Sequence, residues 1–254
     1  MNRLFDLTGK RALITGSSKG IGFTLAEGLA EAGASIVLNA RSAERLRAAE
    51  KTLKEKGFEA ASFCFDVTQP GEIQTAIDDI ETKLGPIDIL INNAGMQARG
   101  ALEDYDLETW RRLMETNVNS MFYVTRVVAK YMIERGQGKI INIGSVQSMT
   151  GRPTIAPYTA SKGAVLNLTK GMAIDWGPKG LQINAIGPGY FKTELNQALV
   201  DNPEFSNWLT GRTPAKRWGN LDELKGAAIF LASEASSFIN GHMIYVDGGL
   251  LAQL

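Results

Sequence analysis

Short apolar runs that alternate with helical patterns predict an α/β fold, one doubly wound domain whose seven-stranded parallel sheet is flanked by helices. Three observations carry this expectation. Strand-length runs recur seven times along 254 residues, separated by segments with helical spacing. Several of the runs are apolar almost throughout, as strands are when helices cover both faces of a sheet. Glycines and prolines fall at the borders of these segments, and no linker, low-complexity stretch or internal repeat interrupts them. A single domain over 1–254 is therefore expected.

The first run, residues 11–15, ends in a glycine cluster, and 21–32 then shows apolar residues at helical spacing until Gly33. Residues 35–39 are too few and too β-branched for a helix. A charged amphipathic helix over 43–56 stops at Gly57, and a third strand lies at 60–65. Pro70, preorganised for a first turn, opens the next helix. Strands four and five, at 87–92 and 139–143, enclose a long helix over 107–135. Residues 158–176 read as helix, 182–186 as the sixth strand, 221–233 as helix and 242–246 as the last strand. The segment 190–218 is different: long, polar, and broken by Pro203, Gly211 and Pro214. A lid inserted over a site is the expected role for it.

Composition narrows the function. Lys plus Arg and Asp plus Glu are both 27, and no basic stripe stands out, so a nucleic-acid partner is not expected. One Cys and one His make neither an internal disulfide nor a Cys/His zinc site, and no metal is expected. No apolar run approaches the ~20 residues that span a bilayer, and residues 1–6 hold no secretory apolar region. A cytoplasmic protein is expected, with Cys64 as a small buried hydrophobe, His242 in the core or an interface, and the apolar end 250–254 buried.

Glycines number 27, and their placement carries chemistry. The first strand runs into Gly16, Ser17, Ser18, Lys19, Gly20, Ile21 and Gly22, where a helix begins. Glycine permits the tight turn and the close approach of backbone to a pyrophosphate, and the helix start adds free N–H groups and a positive dipole end. A glycine pattern alone is weak; between strand and helix it predicts a dinucleotide site. NAD sites of this kind place an acid after the second strand to hold the ribose 2′-hydroxyl. Here Asn39, Ala40 and Arg41 follow instead, and Arg41, helped by Lys19, suits a 2′-phosphate. NADP (NADPH) is the expected cofactor, with NAD weaker.

A second constellation lies downstream. Asn93, Ala94 and Gly95 follow the fourth strand, Ser145 follows the fifth, and Tyr158 and Lys162 share a helix face at i, i+4 spacing. An ammonium beside a phenol favours the phenolate, so Tyr158 is expected to have its pKa lowered by Lys162 and to exchange a proton near neutral pH.

With these motifs in order, the chain resembles the short-chain dehydrogenase/reductase family over essentially its whole length. The resemblance implies a Rossmann-like fold and hydride transfer between a nicotinamide ring and an alcohol or carbonyl. It implies that Tyr158 is the proton donor or acceptor, that Lys162 holds the ribose hydroxyls, that Ser145 orients the carbonyl, and that Asn117 helps hold a water linking Lys162 to solvent. It further implies that Asp66 and Val67 contact the adenine, that Asn93, Ala94 and Gly95 wall the ribose, and that Gly187, Pro188, Gly189 and Thr193 hold the nicotinamide carboxamide. Family members of this kind are usually homotetramers.

Less general segments, including 151–154, 187–190, 213–219 and 238–242, resemble those of gluconate 5-dehydrogenases, which interconvert D-gluconate and 5-keto-D-gluconate. A sugar acid brings a carboxylate that wants a cation, and Arg99 and Arg152 should both lie on loops at the carboxyl edge of the sheet. Alternatives are a 3-oxoacyl-[acyl-carrier-protein] reductase, another sugar or polyol dehydrogenase, and a non-catalytic NADP-binding regulator.

Overall fold

A computed structural model describes residues 3–253. Seven strands form one parallel sheet in the order β3-β2-β1-β4-β5-β6-β7. They are β1 (Arg11–Ile14), β2 (Ser35–Ala40), β3 (Ala60–Cys64), β4 (Ile89–Asn92), β5 (Gly138–Ile143), β6 (Leu181–Pro188) and β7 (Met243–Val246). The helices are α1 (Gly20–Glu31), α2 (Ala43–Glu55), α3 (Pro70–Lys83), α4 (Leu107–Met114), α5 (Ser120–Arg135), α6 (Ala156–Trp176), α7 (Gln197–Val200), α8 (Pro203–Arg212) and α9 (Lys225–Ala232).

The period of two along each strand divides the core into two layers. Ala12 and Ile14 of β1, Ile36 and Leu38 of β2, and Ile89 and Ile91 of β4 pack with Leu25 and Leu29 of α1 and Leu231 of α9. Leu13, Val37 and Leu90, between them in sequence, pack on the other face with Ile73 and Ile77 of α3 and Val124 and Val128 of α5. Each fully buried Leu or Ile contributes about 1.5–3 kcal/mol relative to exposure, so both faces of the sheet are held shut by apolar contact. Between β1 and β4 the chain order reverses, and the crevice at the carboxyl ends there is where open α/β sheets bind ligands.

Several details differ from the sequence expectations. The helix expected over 107–135 is interrupted by a π-helical turn, Glu115–Asn119, between α4 and α5. The helix expected over 221–233 opens as a 3₁₀ turn, Leu221–Leu224, closed by a capping box between Asn220 and Glu223. Cys64 is exposed at the end of β3, an edge strand of the sheet. His242 is also exposed, just ahead of β7. At the far end Leu250 is buried and Leu251 half-buried, while Ala252 and Gln253 are exposed; Leu254 lies outside the described residues.

Residues 190–218 leave the sheet after β6 and return to the same place. Gly219 N–H donates to Tyr190 O at 2.9 Å and Lys192 N–H donates to Gly219 O at 3.2 Å, so the excursion is pinched at its base. Within it, α8 is capped by Asn202, whose side chain accepts from Phe205 N at 3.0 Å. Trp218, buried, donates its indole N–H to Ser206 Oγ at 3.2 Å.

Candidate active site

The β1–α1 turn is shaped for close approach. Gly16 has φ +62°, and a Cβ there would lie 2.9 Å from Ala94 Cα; at Gly22 it would lie 2.4 Å from Asn93 Nδ2. Asn93 makes that packing possible, donating from Nδ2 to Thr15 O (3.0 Å) and Gly16 O (2.9 Å), while Thr15 Oγ1 accepts from Asn93 N and Ala94 N. Asn93 thus ties β4 to the turn, and its side chain is spent on that bond. Ser17 departs from its expectation: it is fully buried, its Oγ donates to Ile14 O at 2.7 Å and its N–H to Asn39 O at 2.9 Å. Ser18, Lys19 and Gly20 of the turn line a cleft of about 520 Å³ with Phe23, Arg45 and Glu194.

The same end of α1 fits a phosphate. Its N-cap, Lys19, supplies no side-chain cap bond, and no acid stands in the first turn. Orphan N–H groups and the positive dipole end are left for an anion. Within β2, Asn39 turns inward and donates to Phe65 O at 3.0 Å, and just after it Arg41 projects into solvent, 3.8 Å from Asp66. No carboxylate follows β2 where a free ribose 2′-hydroxyl would need one. Asp66 is half-committed, its Oδ1 accepting from Thr68 N and Thr68 Oγ1, and Val67 is buried, leaving only backbone for contact. Gly187 and Gly189 serve packing: a Cβ would strike the Tyr245 ring at 2.5 Å and Asp247 Cα at 2.7 Å. Pro188 ends β6, and Thr193 caps a short turn by accepting from Asn196 N at 3.2 Å.

The expected catalytic residues come from the end of β5, the π turn and α6. Ser145 follows β5, is buried, and accepts from Gln147 N at 3.1 Å. Lys162, also buried, donates from Nζ to Ile143 O at 2.7 Å, and its Nζ lies 5.7 Å from the Tyr158 ring centre. Ser148 Oγ donates to Lys162 O at 2.8 Å, so the β5 loop holds α6 at this point. Asn117 reaches from the π turn: Nδ2 donates to Met96 O (2.9 Å) and to Ser161 Oγ (3.0 Å), and Oδ1 accepts from Met96 N (2.7 Å). π turns recur at functional sites, and this one pins the loop after Gly95 to the helix that carries Tyr158 and Lys162.

Electrostatics here overturn one expectation. Burial pushes the Tyr158 phenol up to about 12, opposed by a hydrogen bond from Ser145, rather than letting Lys162 lower it. Burial also pushes the Lys162 ammonium down to about 8. Desolvation of the charged form is the largest cause at Tyr158 and the whole cause at Lys162. The shift favours the neutral phenol of Tyr158.

Two arginines come together on the loops after β4 and β5. Arg99, on the loop after β4, has its pKa lowered by burial and by the neighbouring Arg152 guanidinium. The loops are joined by Gly100 N–H donating to Thr154 O at 3.1 Å, with Thr154 held at φ +68°, an unusual conformation for a β-branched residue. Neither arginine makes an ion pair among the described residues. Two like charges held together without a carboxylate invite an anion.

A family profile described as enoyl-(acyl carrier protein) reductase matches residues 16–251. The gluconate 5-dehydrogenase of Gluconobacter oxydans (strain 621H) is 56% identical over 251 residues, covering 99% of this chain and 98% of that one. The chain belongs to the short-chain dehydrogenase/reductase family. Another family member, the 5-keto-D-gluconate 5-reductase of Escherichia coli (strain K12), is 49% identical, with 99% of each chain covered. The crystal structure of a family member from Burkholderia cenocepacia J2315, a gluconate 5-dehydrogenase in complex with NADP and tartrate, superposes with a TM-score of 0.97 at 55% identity, covering 99% of both chains. The seven-stranded sheet and its flanking helices are thus the family's Rossmann-like fold.

Two site residues carry no family motif. Gln147 is buried, donates from Nε2 to Tyr190 OH at 3.4 Å, and has a buried Oε1 with no partner. Phe205 of α8 lies with its ring centre 4.8 Å from the Arg152 guanidinium carbon. Only its place two residues after Ser145 marks Gln147 in the sequence, and nothing local marks Phe205.

Proposed function

We propose that this chain is an NADP-dependent oxidoreductase that interconverts D-gluconate and 5-keto-D-gluconate. The observation that carries the substrate reading is the pair of guanidiniums, Arg99 and Arg152, brought together without an ion-pair partner by the loops after β4 and β5. A bound NADPH would supply the hydride. Its pyrophosphate fits the N-terminus of α1 at Ser18, Lys19 and Gly20, its 2′-phosphate fits Arg41, and its adenine lies by Asp66 and the Val67 backbone. Gly95, Pro188, Gly189 and Thr193 border the space left for the ribose and nicotinamide.

In this reading Ser145 hydrogen-bonds the substrate's C5 oxygen and Tyr158 gives it a proton on reduction or takes one on oxidation. Lys162 holds ribose hydroxyls and returns a proton to Tyr158. Asn117 is a positioning residue that keeps the Met96 loop and α6 in register. The carboxylate at C1 sits between Arg99 and Arg152. The whole of 1–254 acts as one dinucleotide-binding domain, and 190–218 serves as its lid.

The reading extends to assembly and place. A homotetramer is proposed, with Trp110 of α4, Phe122 of α5 and Ile174 of α6 exposed on the helices that would meet. Sedimentation tests that directly. Among the described residues no helix is long and apolar enough to cross a membrane, and a cytoplasmic reaction is part of the same proposal. The substrate assignment is tested by Arg99→Ala and Arg152→Ala. Each should raise the KM for 5-keto-D-gluconate by about tenfold or more, the loss of one charge-assisted contact. Unchanged KM in both variants would sink the carboxylate assignment.

A further inference from the structure

Arg152 has no acid to hold it, yet its guanidinium is not free to wander. Its carbon lies 4.8 Å from the centre of the Phe205 ring and 6.0 Å from that of Tyr190. Both fall within the range at which a cation is attracted to an aromatic face. Its Nε is buried and makes no hydrogen bond. The guanidinium carbon is thus held over two aromatic rings, and Nε is left without a partner.

Phe205 itself has three ring neighbours. Tyr190 lies 5.8 Å away, Trp218 6.1 Å and Trp208 5.3 Å, centre to centre. Tyr190 and Trp218 meet edge to face at 6.0 Å. These residues come from the pinched base of the excursion and from α8, so the excursion touches Arg152 through a built aromatic cluster. A ring on a guanidinium face shields the cation from water without consuming the in-plane N–H groups that a carboxylate needs.

We propose that Phe205 is a positioning residue that sets the preference for an anionic substrate. Its ring fixes the plane of Arg152, and the in-plane donors then face the substrate carboxylate. The proposal rests on the reading that Arg152 binds that carboxylate. It adds that charge selection is set by an aromatic residue of the excursion, more than 50 positions away in sequence.

The experiment compares 5-keto-D-gluconate with L-sorbose, the same carbon chain carrying a hydroxymethyl group in place of the carboxylate. Initial rates are measured for wild type, Phe205→Leu, Phe205→Tyr, Arg152→Ala and the Phe205→Leu/Arg152→Ala double variant. Leucine keeps the bulk and removes the ring face; tyrosine keeps the face. Phe205→Leu should raise the KM for 5-keto-D-gluconate about five- to tenfold, while kcat and the kinetics of L-sorbose move less than twofold. Phe205→Tyr should restore the wild-type KM, and the double variant should be no worse than Arg152→Ala. Equal losses on both substrates, no rescue by tyrosine, or losses that multiply in the double variant would overturn it. The carboxylate reading fails separately, if Arg152→Ala leaves the preference for the acid unchanged. NADPH affinity, unaltered in every variant, verifies folding.

Discussion

Replacing Lys162 with methionine should abolish turnover and yet make the protein more stable at neutral pH. Lys162 is buried, its ammonium donates to Ile143 O, and no carboxylate partners it among the described residues. Burial lowers its pKa from 10.5 to about 8. At about 1.4 kcal/mol for each tenfold change in proton affinity, holding the charged form in the fold costs about 3 kcal/mol. The sign follows from proton counts. Below pH 8 folded and unfolded chains are both protonated and the cost is present in full. Between 8 and 10.5 the folded chain sheds the proton first, so stability rises with pH, and above 10.5 the cost has gone. Methionine has similar length and no charge, but it leaves Ile143 O without that donor, a loss of about 1–2 kcal/mol. A net gain of about 1–2 kcal/mol remains, or several degrees in Tm for a chain of this size. Urea unfolding of wild type and Lys162→Met at pH 7 and pH 10, at equal protein concentration, reads both quantities. The variant should lead at pH 7, and the gap should close or reverse at pH 10. A variant that is less stable at pH 7, with a gap that ignores pH, would refute the reasoning.

Further outcomes follow from the same geometry. Arg41→Ala should raise the KM for NADPH at least tenfold and leave that for NADH nearly unchanged, since Arg41 is the cation placed for the 2′-phosphate; steady-state kinetics with both cofactors decides it. Alcohol oxidation should accelerate from pH 7 to pH 10 because only the Tyr158 phenolate accepts a proton and its pKa lies near 12, whereas carbonyl reduction should not rise over that range. Opposite slopes in the two profiles would show the reverse assignment. Thr154→Gly should raise stability by about 0.5–1 kcal/mol, because glycine tolerates φ +68° where a β-branched residue is strained; thermal melts that show a loss would contradict it.

The order of strands and helices was legible because period two and period 3.6 are local properties of the chain. The β1–α1 turn was legible too, since its glycines answer a local steric demand at Gly16 and Gly22. Ser145, Tyr158 and Lys162 could be placed near one another because the carboxyl ends of β5 and the start of α6 meet in any such sheet. What was hidden depends on distance in sequence or on burial. The π turn at Asn117 differs from an α-helix by one inserted residue and leaves no mark in composition. Ser17 faces inward only because β2 lies beside β1 and offers Asn39 O. Cys64 is exposed at the end of β3, an edge strand, a matter of sheet order that its own apolar neighbours cannot reveal. The Tyr158 pKa hinged on whether desolvation or the nearby ammonium would win, and only the geometry decides that. The Arg152–Phe205 contact joins segments 53 residues apart, so no local pattern carries it.

The proposal is that the half-buried Tyr158 gives its proton to a sugar-acid carbonyl whose carboxylate Arg99 and Arg152 hold. It is tested most directly by following NADPH absorbance with purified protein and 5-keto-D-gluconate, for wild type and Tyr158→Phe. The account predicts turnover by wild type, well above that with acetoacetyl thioester, and a loss of about 10²–10⁴-fold in kcat for Tyr158→Phe with NADPH affinity retained. No turnover of 5-keto-D-gluconate by wild type, or full activity in Tyr158→Phe, would contradict it.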